Sequence, residues 1–331
     1  MNIYRVRDRI ELYACEHALF FTVQEPLVSS GSLDSSPAAP VNVTLFDLHH
    51  DDCVRGMRKL PGQSIDLVVT SPPYNLGVRY SRFSDCATRA DYLCWCKGWA
   101  AEIARVLKRS GSFFLNVGSS PSNPLLPHEL VLELRELFVV QNTIHWIKSI
   151  AIDRATSKTE PRVSPLPKRD EDERRHVTTR ATTYGHFKPI SSKRFLNDCH
   201  EYIFHFTKTG FVEIDRLALG VPYQDKTNIA RWSHTHGSDR RCRGNTWFIP
   251  YQTIQRREKD RPHPASFPMN LPENCIRLHG LTQIETMLDP FLGIGNSAVA
   301  ARNCGVPKFI GFEIDENYLA EAKRRIAATS P

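Results

Sequence analysis

No apolar run in this chain approaches the ~20 residues that a membrane-spanning helix needs, so no span is expected. The opening stretch MNIYRVRDRIELYACEHALFF scatters charge among its apolar residues and does not read as a signal peptide. No CxxC pair occurs among the nine cysteines, whose closest spacing is Cys94-x-Cys96. They read as reduced thiols of a cytosolic protein, without a disulfide framework, and neither a zinc site nor any other metal is expected. No internal repeat is visible, which sets repeat architectures aside.

What is present fits a globular α/β chain. The 331 residues suffice for one large domain or two smaller ones, and 41% of them are hydrophobic. The net charge of +7 is unevenly placed. Residues 151–262 hold 22 Lys/Arg against 14 Asp/Glu, a surplus of 8, whereas the remainder is balanced to within one charge. A concentrated basic segment suits a polyanion, most often nucleic acid.

Along the chain, SSGSLDSSPAAP (29–40) reads as a linker after an N-terminal arm. From 41 to 150 strands (VNVTLFDLHH, SIDLVVT, GSFFLNVG, FVVQNTIHWIK) alternate with helices at 91–109 and 127–137. That alternation predicts a parallel, doubly wound sheet. KTEPRVSPLPKRDEDERRHVTTR is charged and aperiodic and reads as a mobile loop or an inserted module. HEYIFHFTK (200–208) returns as a strand, and 220–262 is rich in Arg, His, Trp and Tyr with little periodicity. After 270 the rhythm resumes with a helix near 271–280, ETMLDPF, a helix over 296–304, KFIGFEI and a helix over 316–328.

Two stretches carry chemistry. In the first, the apolar strand Ile65–Thr70 runs into Ser71-Pro72-Pro73-Tyr74. Proline cannot donate to a sheet ladder, so the strand stops and a rigid, aromatic-bearing loop follows. Loops at the carboxyl ends of parallel strands are where such sheets bind ligands. In the second, MLDPFLGIGNSAVAA (287–301) is a strand, a glycine loop and a helix, followed by an acid at the end of the next strand, Glu313. Glycines let backbone approach a ligand, the helix N-terminus presents free N–H groups, and such an acid can accept from ribose hydroxyls. Alanine at 298 breaks the full GxGxxG pattern, which points away from NAD.

With both motifs in hand, the chain resembles the amino-group DNA methyltransferases that use S-adenosylmethionine. Within them it is similar to the permuted, or beta, group, whose catalytic motif precedes the cofactor loop. Ser71–Tyr74 matches the S/D/N-P-P-Y/F loop, Asp289–Gly295 the DPFxGxG loop, and RPHPASFP (261–268) an HPAxFP element. Serine at the head of the catalytic loop resembles the cytosine-N4 branch. The resemblance implies a doubly wound, mostly parallel, Rossmann-like methyltransferase sheet, circularly permuted, with an inserted target-recognition region. The domains would be an arm and linker (1–40), a catalytic half (41–150), the insertion (151–262, with a core strand near 200–208) and a cofactor half (263–331). Permutation of this kind is tolerated where termini lie close together on the surface.

The resemblance further implies that S-adenosylmethionine, leaving as S-adenosylhomocysteine, contacts Asp52, Phe267, Asp289, Phe291, Gly293, Gly295, Asn296, Ser297 and Glu313. For Asp52 the register with Asp51 is open by one residue. Catalysis would fall to Ser71, Pro72, Pro73 and Tyr74 acting on a base turned out of double-stranded DNA. Tyr74 would stack on the base, while Ser71 Oγ and the Pro72 carbonyl accept from its amino group. No cysteine follows a proline, in keeping with transfer without a covalent intermediate. Candidate DNA contacts are Arg231, Arg240, Arg241 and Arg243, interleaved with Trp232, Trp247 and Tyr251, and Arg174 and Arg175 in the basic loop. The expected setting is a prokaryotic-type cytoplasm, on the nucleoid, with a restriction–modification role and room for a homodimer. Adenine-N6 transfer, and a non-catalytic DNA-binding protein with a vestigial cofactor fold, are the alternatives.

Overall fold

Strand β2 (Ile65–Thr70) is buried along its whole length. In the sheet, Leu67 and Val69 pack into one apolar layer while Val68 packs into the other. Both faces of β2 are therefore covered, which is why apolar residues fill successive positions 67–69 and do not alternate with polar ones. The computed structural model describes residues 44–153, 181–187, 191–250 and 266–328. The arm and linker (1–40), Arg174, Arg175 and Tyr251 lie outside the described residues. Val41–Pro331 forms one compact unit.

The central sheet has eight strands in the order β1-β10-β9-β2-β3-β7-β4-β8. They are β1 (Leu45–His50), β10 (Lys308–Glu313), β9 (Thr286–Asp289), β2, β3 (Leu107–Val117), β7 (His200–Thr207), β4 (Val139–Ile147) and β8 (Thr246–Phe248). The first five pair in parallel. β7 is reversed against both of its neighbours. β5 (Ser149–Asp153) and β6 (Ala181–Gly185) pair antiparallel in a second, two-stranded sheet.

The helix Asn270–His279 and the helix Asn296–Asn303 cover one face, and the helices Arg89–Val106 and Leu126–Leu134 the other. This is the doubly wound, mostly parallel α/β sheet that the alternating pattern predicts. Two boundaries differ from expectation. The helix starting near 91 ends at Val106 and gives way directly to β3, so Leu107–Arg109 are strand. β8 lies inside the stretch that showed little periodicity, where three residues are too few to display alternation.

A polar knot sits within the sheet. Ser112 on β3 has its Oγ 2.9 Å from His205 Nε2 on β7 and 2.9 Å from His279 Nδ1 on the covering helix. All three side chains are buried. Burial lowers the pKa of His205 to about 3, helped by His279, and lowers that of His279 to about 4. Both imidazoles are therefore neutral in the folded protein, while the unfolded chain binds protons near 6.5. The stability they contribute is complete above that pH and is lost as pH falls toward 4. Asp289, whose pKa burial raises to about 6, works in the opposite sense between 6 and 4. A comparison with a variant isolates the histidine effect. His279→Gln should flatten the acid side of the stability curve between pH 6.5 and 4 by up to one proton, about 1.4 kcal/mol per pH unit. Urea unfolding at several pH values measures this, and an unchanged acid slope would contradict a neutral buried His279.

Candidate active site

The carboxyl ends of β1, β10, β9, β2 and β3 share one edge, because these strands are parallel. The reversed β7 brings its first residues to that same edge, with Tyr202 opposite Val117. A cavity opens there. Its lining includes Ser71, Pro72, Pro73 and Tyr74 after β2, and Asp51 and Asp52 after β1. Phe291, Gly293 and Asn296 of the glycine loop, Glu313 at the end of β10, and Phe267 also contribute.

The loop after β2 is held from several sides. Tyr92 on the neighbouring helix donates its hydroxyl to the Pro73 carbonyl at 2.9 Å. The Pro72 carbonyl accepts no hydrogen bond among the described residues. Asn75, at φ 56, exchanges two hydrogen bonds with the backbone of Ala87. Asp85 is 2% exposed and accepts the backbone N–H groups of Asn75, Leu76 and Val78 at 2.7–3.0 Å. One buried carboxylate therefore shapes the whole turn that follows Tyr74.

The glycine loop is braced from behind. Asp289 is fully buried and accepts from Thr70 Oγ1 at 2.6 Å, from Ser297 Oγ at 2.5 Å and from Phe291 N–H at 3.0 Å. Gly295 is at φ +80, and a Cβ there would lie 2.9 Å from the Cβ of Ala322 in the helix Glu316–Ala328. Asp289, Ser297 and Gly295, which the resemblance places at the cofactor, are not among the residues that line the cavity. Their carboxylate, hydroxyl and bare Cα serve the loop's support. Gly293, at φ 54, does line the cavity, and its N–H donates to Glu313 Oε2 at 2.7 Å.

The acids around the cavity differ in availability. Glu313 is 9% exposed, and burial raises its pKa while the N–H groups of Asp315 and Gly293 oppose that rise. Asp51 is held by Lys59 at 2.7 Å and Arg55 at 2.5 Å, which lower its pKa to about 2. Asp52 caps the short helix Cys53–Met57 by accepting Arg55 N–H at 3.0 Å. Asp51 N–H donates to the Glu313 carbonyl at 3.1 Å, so this pair of acids sits beside Glu313.

The cavity lining also holds a polar cluster around Ser71. Its Oγ is 2.6 Å from the Tyr74 hydroxyl, which in turn donates to Glu201 Oε2 at 3.2 Å. Asn116 Nδ2 donates to Tyr74 Oη at 2.6 Å and Glu201 Oε2 at 2.8 Å. Lys148 Nζ stands 3.1 Å from Glu201 Oε1.

A serine- and proline-headed loop sharing one cavity with a glycine loop and a strand-end acid is the arrangement to compare with known proteins. Residues 65–324 match the N6_N4_Mtase family, described as DNA methylase. The chain belongs to this DNA methylase family. The type II methyltransferase M.ScaI of Streptomyces caespitosus is 26% identical over 85% of this chain and 81% of its own. The DNA adenine methyltransferase YhdJ of Escherichia coli K12 is 25% identical over 85% of this chain and 82% of its own. Among solved structures, the PvuII DNA methyltransferase (cytosine-N4-specific) shares the fold at a TM-score of 0.54 and 19% identity, covering 86% of this chain and 87% of that one.

In this DNA methylase Arg231, Arg240, Arg241 and Arg243 are not among the residues that line the cavity. Arg231 ends the short helix Thr227–Arg231, and Arg240 is exposed. The backbone of Arg241 pairs with Val221 in both directions, while Arg243 donates Nε to the Leu219 carbonyl at 3.1 Å. Trp232 is exposed, but Trp247 is not the surface ring the interleaved pattern suggested. It is 1% exposed, in β8, where it packs into the core. The sequence reading also passed over Asn75, Asp85, Asn116 and Glu201. An SPPY followed by asparagine was the one local signal for a left-handed position at 75.

If Gly295 answers to helix packing, Gly295→Ala should cost about 1–3 kcal/mol of stability through contact with Ala322 and the unfavourable φ. Ala322→Gly in the same chain should restore part of that loss. Denaturant unfolding of the single and double variants checks both statements.

Proposed function

We propose that this DNA methyltransferase is site-specific and moves the methyl group of S-adenosylmethionine to the N4 amino group of a cytosine turned out of double-stranded DNA, within a restriction–modification system. The observation that carries this reading is that the Ser71–Tyr74 loop and the glycine loop open into one cavity with Glu313. The chain order, with the catalytic strand β2 ahead of the glycine-loop strand β9, supports a circular permutation.

The residues present fit the methyl donor. Asn296 Oδ1 is a buried acceptor with no partner among the described residues, although its amide nitrogen donates to the Phe267 carbonyl at 2.6 Å. The Glu313 carboxylate accepts backbone N–H groups of Gly293 and Asp315, with a further backbone contribution from Ile314, and a carboxylate has lone pairs to accept more. Glu313 would hold the ribose hydroxyls, Asp52 would face the adenine ring, Phe267 and Phe291 would give apolar walls, and Asn296 would accept from an ammonium group. Bound there, S-adenosylmethionine supplies an electrophilic methyl on a sulfonium.

The chain's own residues prepare the nucleophile. Ser71 Oγ and the Pro72 carbonyl accept the two amino hydrogens and draw the nitrogen toward tetrahedral geometry. Tyr92 takes up the Pro73 carbonyl, so the loop cannot swivel and the Pro72 carbonyl keeps its aim. Arg231, Arg240, Arg241 and Arg243, with Arg174 and Arg175, hold DNA phosphates and base edges. Serine in place of an acid at the head of the loop favours cytosine. The similarity to an enzyme described as a DNA adenine methyltransferase supports a second reading, transfer to adenine N6.

Mass spectrometry of nucleosides from DNA of an expressing host decides between them. N4-methylcytosine is expected, N6-methyladenine would establish the second reading, and unmodified DNA would overturn both. Ser71→Ala should leave affinity for S-adenosylmethionine within a few-fold and lower the single-turnover methylation rate roughly tenfold or more. Glu313→Gln should weaken donor binding by about 1–3 kcal/mol in calorimetry, since a charge-assisted hydrogen bond is lost.

A further inference from the structure

We propose that Glu201 is the terminal proton acceptor of the reaction, reached from the target amino group through Ser71 and Tyr74; this rests on the methyl-transfer reading above. The argument turns on the direction of the hydrogen bonds. An ionised carboxylate only accepts, so Tyr74 donates its single hydrogen to Glu201 Oε2. The 2.6 Å contact between Ser71 Oγ and Tyr74 Oη then requires the serine to be its donor. Asn116 Nδ2 also donates to Ser71 Oγ, at 3.4 Å, which leaves one lone pair of that oxygen to accept an N–H from a base in the cavity. Asn116 Nδ2, donating to both Tyr74 Oη and Glu201 Oε2, reinforces that direction.

Two further features indicate that the carboxylate is placed for this contact. Lys148 Nζ lies 3.1 Å from Glu201 Oε1, with the two side chains only 16% and 12% exposed, so the Glu201 side chain is paired and fixed in a largely dry site. Gly118, just past β3, leaves room for it. A Cβ there would lie 3.1 Å from Glu201 Cγ and 3.2 Å from Tyr74 Cε2. The reversal of β7 supplies the rest, because only the first residues of an antiparallel strand reach this edge.

The step balances without another reactant. The sulfur–methyl bond breaks as the carbon–nitrogen bond forms, leaving a neutral thioether and a cationic amino nitrogen. That nitrogen passes a proton to Ser71 Oγ while the serine hydrogen moves to Tyr74 Oη and the tyrosine hydrogen to Glu201 Oε2. Solvent takes the proton after product release. Other titratable groups near Glu201 are Lys148, Tyr74, and His200 and Tyr202 on its own strand, with His145 on β4 beside those two. Burial and the neighbouring His145 and Lys148 lower the pKa of His200.

The test is single-turnover methylation from pH 5 to 9, at saturating S-adenosylmethionine, on the duplex site found modified in host DNA. Wild type should lose rate on the acid side, and Glu201→Gln should be about 10- to 100-fold slower at pH 8 and lack that acid limb. Tyr74→Phe, which cuts the relay at its middle, should slow the reaction similarly, and the double variant should be no slower than either single one. Lys148→Met, which removes the stabilising cation, should move the acid limb to higher pH. Without the methyl donor, fluorescence of 2-aminopurine placed beside the target base should rise equally with wild type and Glu201→Gln, showing that the base pocket is intact. Overturning results are an unchanged rate and pH profile in Glu201→Gln, additive losses in the double variant, or loss of the fluorescence rise. An inactive wild type would refute the methyl-transfer reading itself, which separates that failure from failure of the relay.

Discussion

The carboxylate of Asp289 is the tie on which the site depends. It is fully buried, and it joins Thr70, the last residue of β2, to Ser297 at the start of the helix that follows the glycine loop. Thr70 immediately precedes Ser71, so the same carboxylate fixes where both loops begin. Burying an ionisable group is costly unless its oxygens are satisfied. Three donors meet that cost here, and burial still raises the pKa to about 6. Loss of any donor would be felt on two loops at once, 219 residues apart in sequence.

The second constraint is the reversed strand. Five parallel strands deliver only their carboxyl ends to the cavity, and those ends are occupied by loops that must bend sharply. β7 delivers a residue that is still within sheet pairing, beside Val117↔Tyr202, and so is rigidly placed. Glu201 thereby reaches Tyr74 from a strand, whereas Ser71 reaches it from a loop clamped by Asp85 and Tyr92. Precision on one side of the polar cluster comes from the ladder, and on the other from buried hydrogen bonds.

The sequence was legible where backbone chemistry punctuates it. Prolines after Thr70 end a strand, and glycines at 293 and 295 demand a turn, so both loops and the edge they share follow from composition and order. What local pattern does not carry is the direction in which a residue faces across a tight turn. Asp289, Ser297 and Gly295 sit in the cofactor motif, yet they point into the scaffold, because a loop that must hold its shape needs internal partners as much as exposed ones. Trp247 misled for the same reason: arginines surround it in sequence, while pairing with β4 turns it inward. Glu201 and Asn116 carried no motif at all. They meet only through the register of β3 against β7, and register is set by the folded sheet.

A serine at the head of the catalytic loop raises a chemical question that the cluster behind it addresses. An acid in that position would supply negative charge directly to the amino group and would also be a weak competing nucleophile toward an electrophilic methyl. A hydroxyl carries no charge, so a carboxylate acting through it must stand one link further back. Tyr74 Oη, at 2.6 Å from Ser71 Oγ and 3.2 Å from Glu201, provides that link. Under the proposed relay, that separation would keep the carboxylate away from the methyl group while its field polarises the serine. Lys148 pairs with the other carboxylate oxygen from the far side, which offsets the cost of burying the cluster. On the proposed relay the tyrosine of the loop would be more than a flat surface for a base, because its hydroxyl connects Ser71 to Glu201.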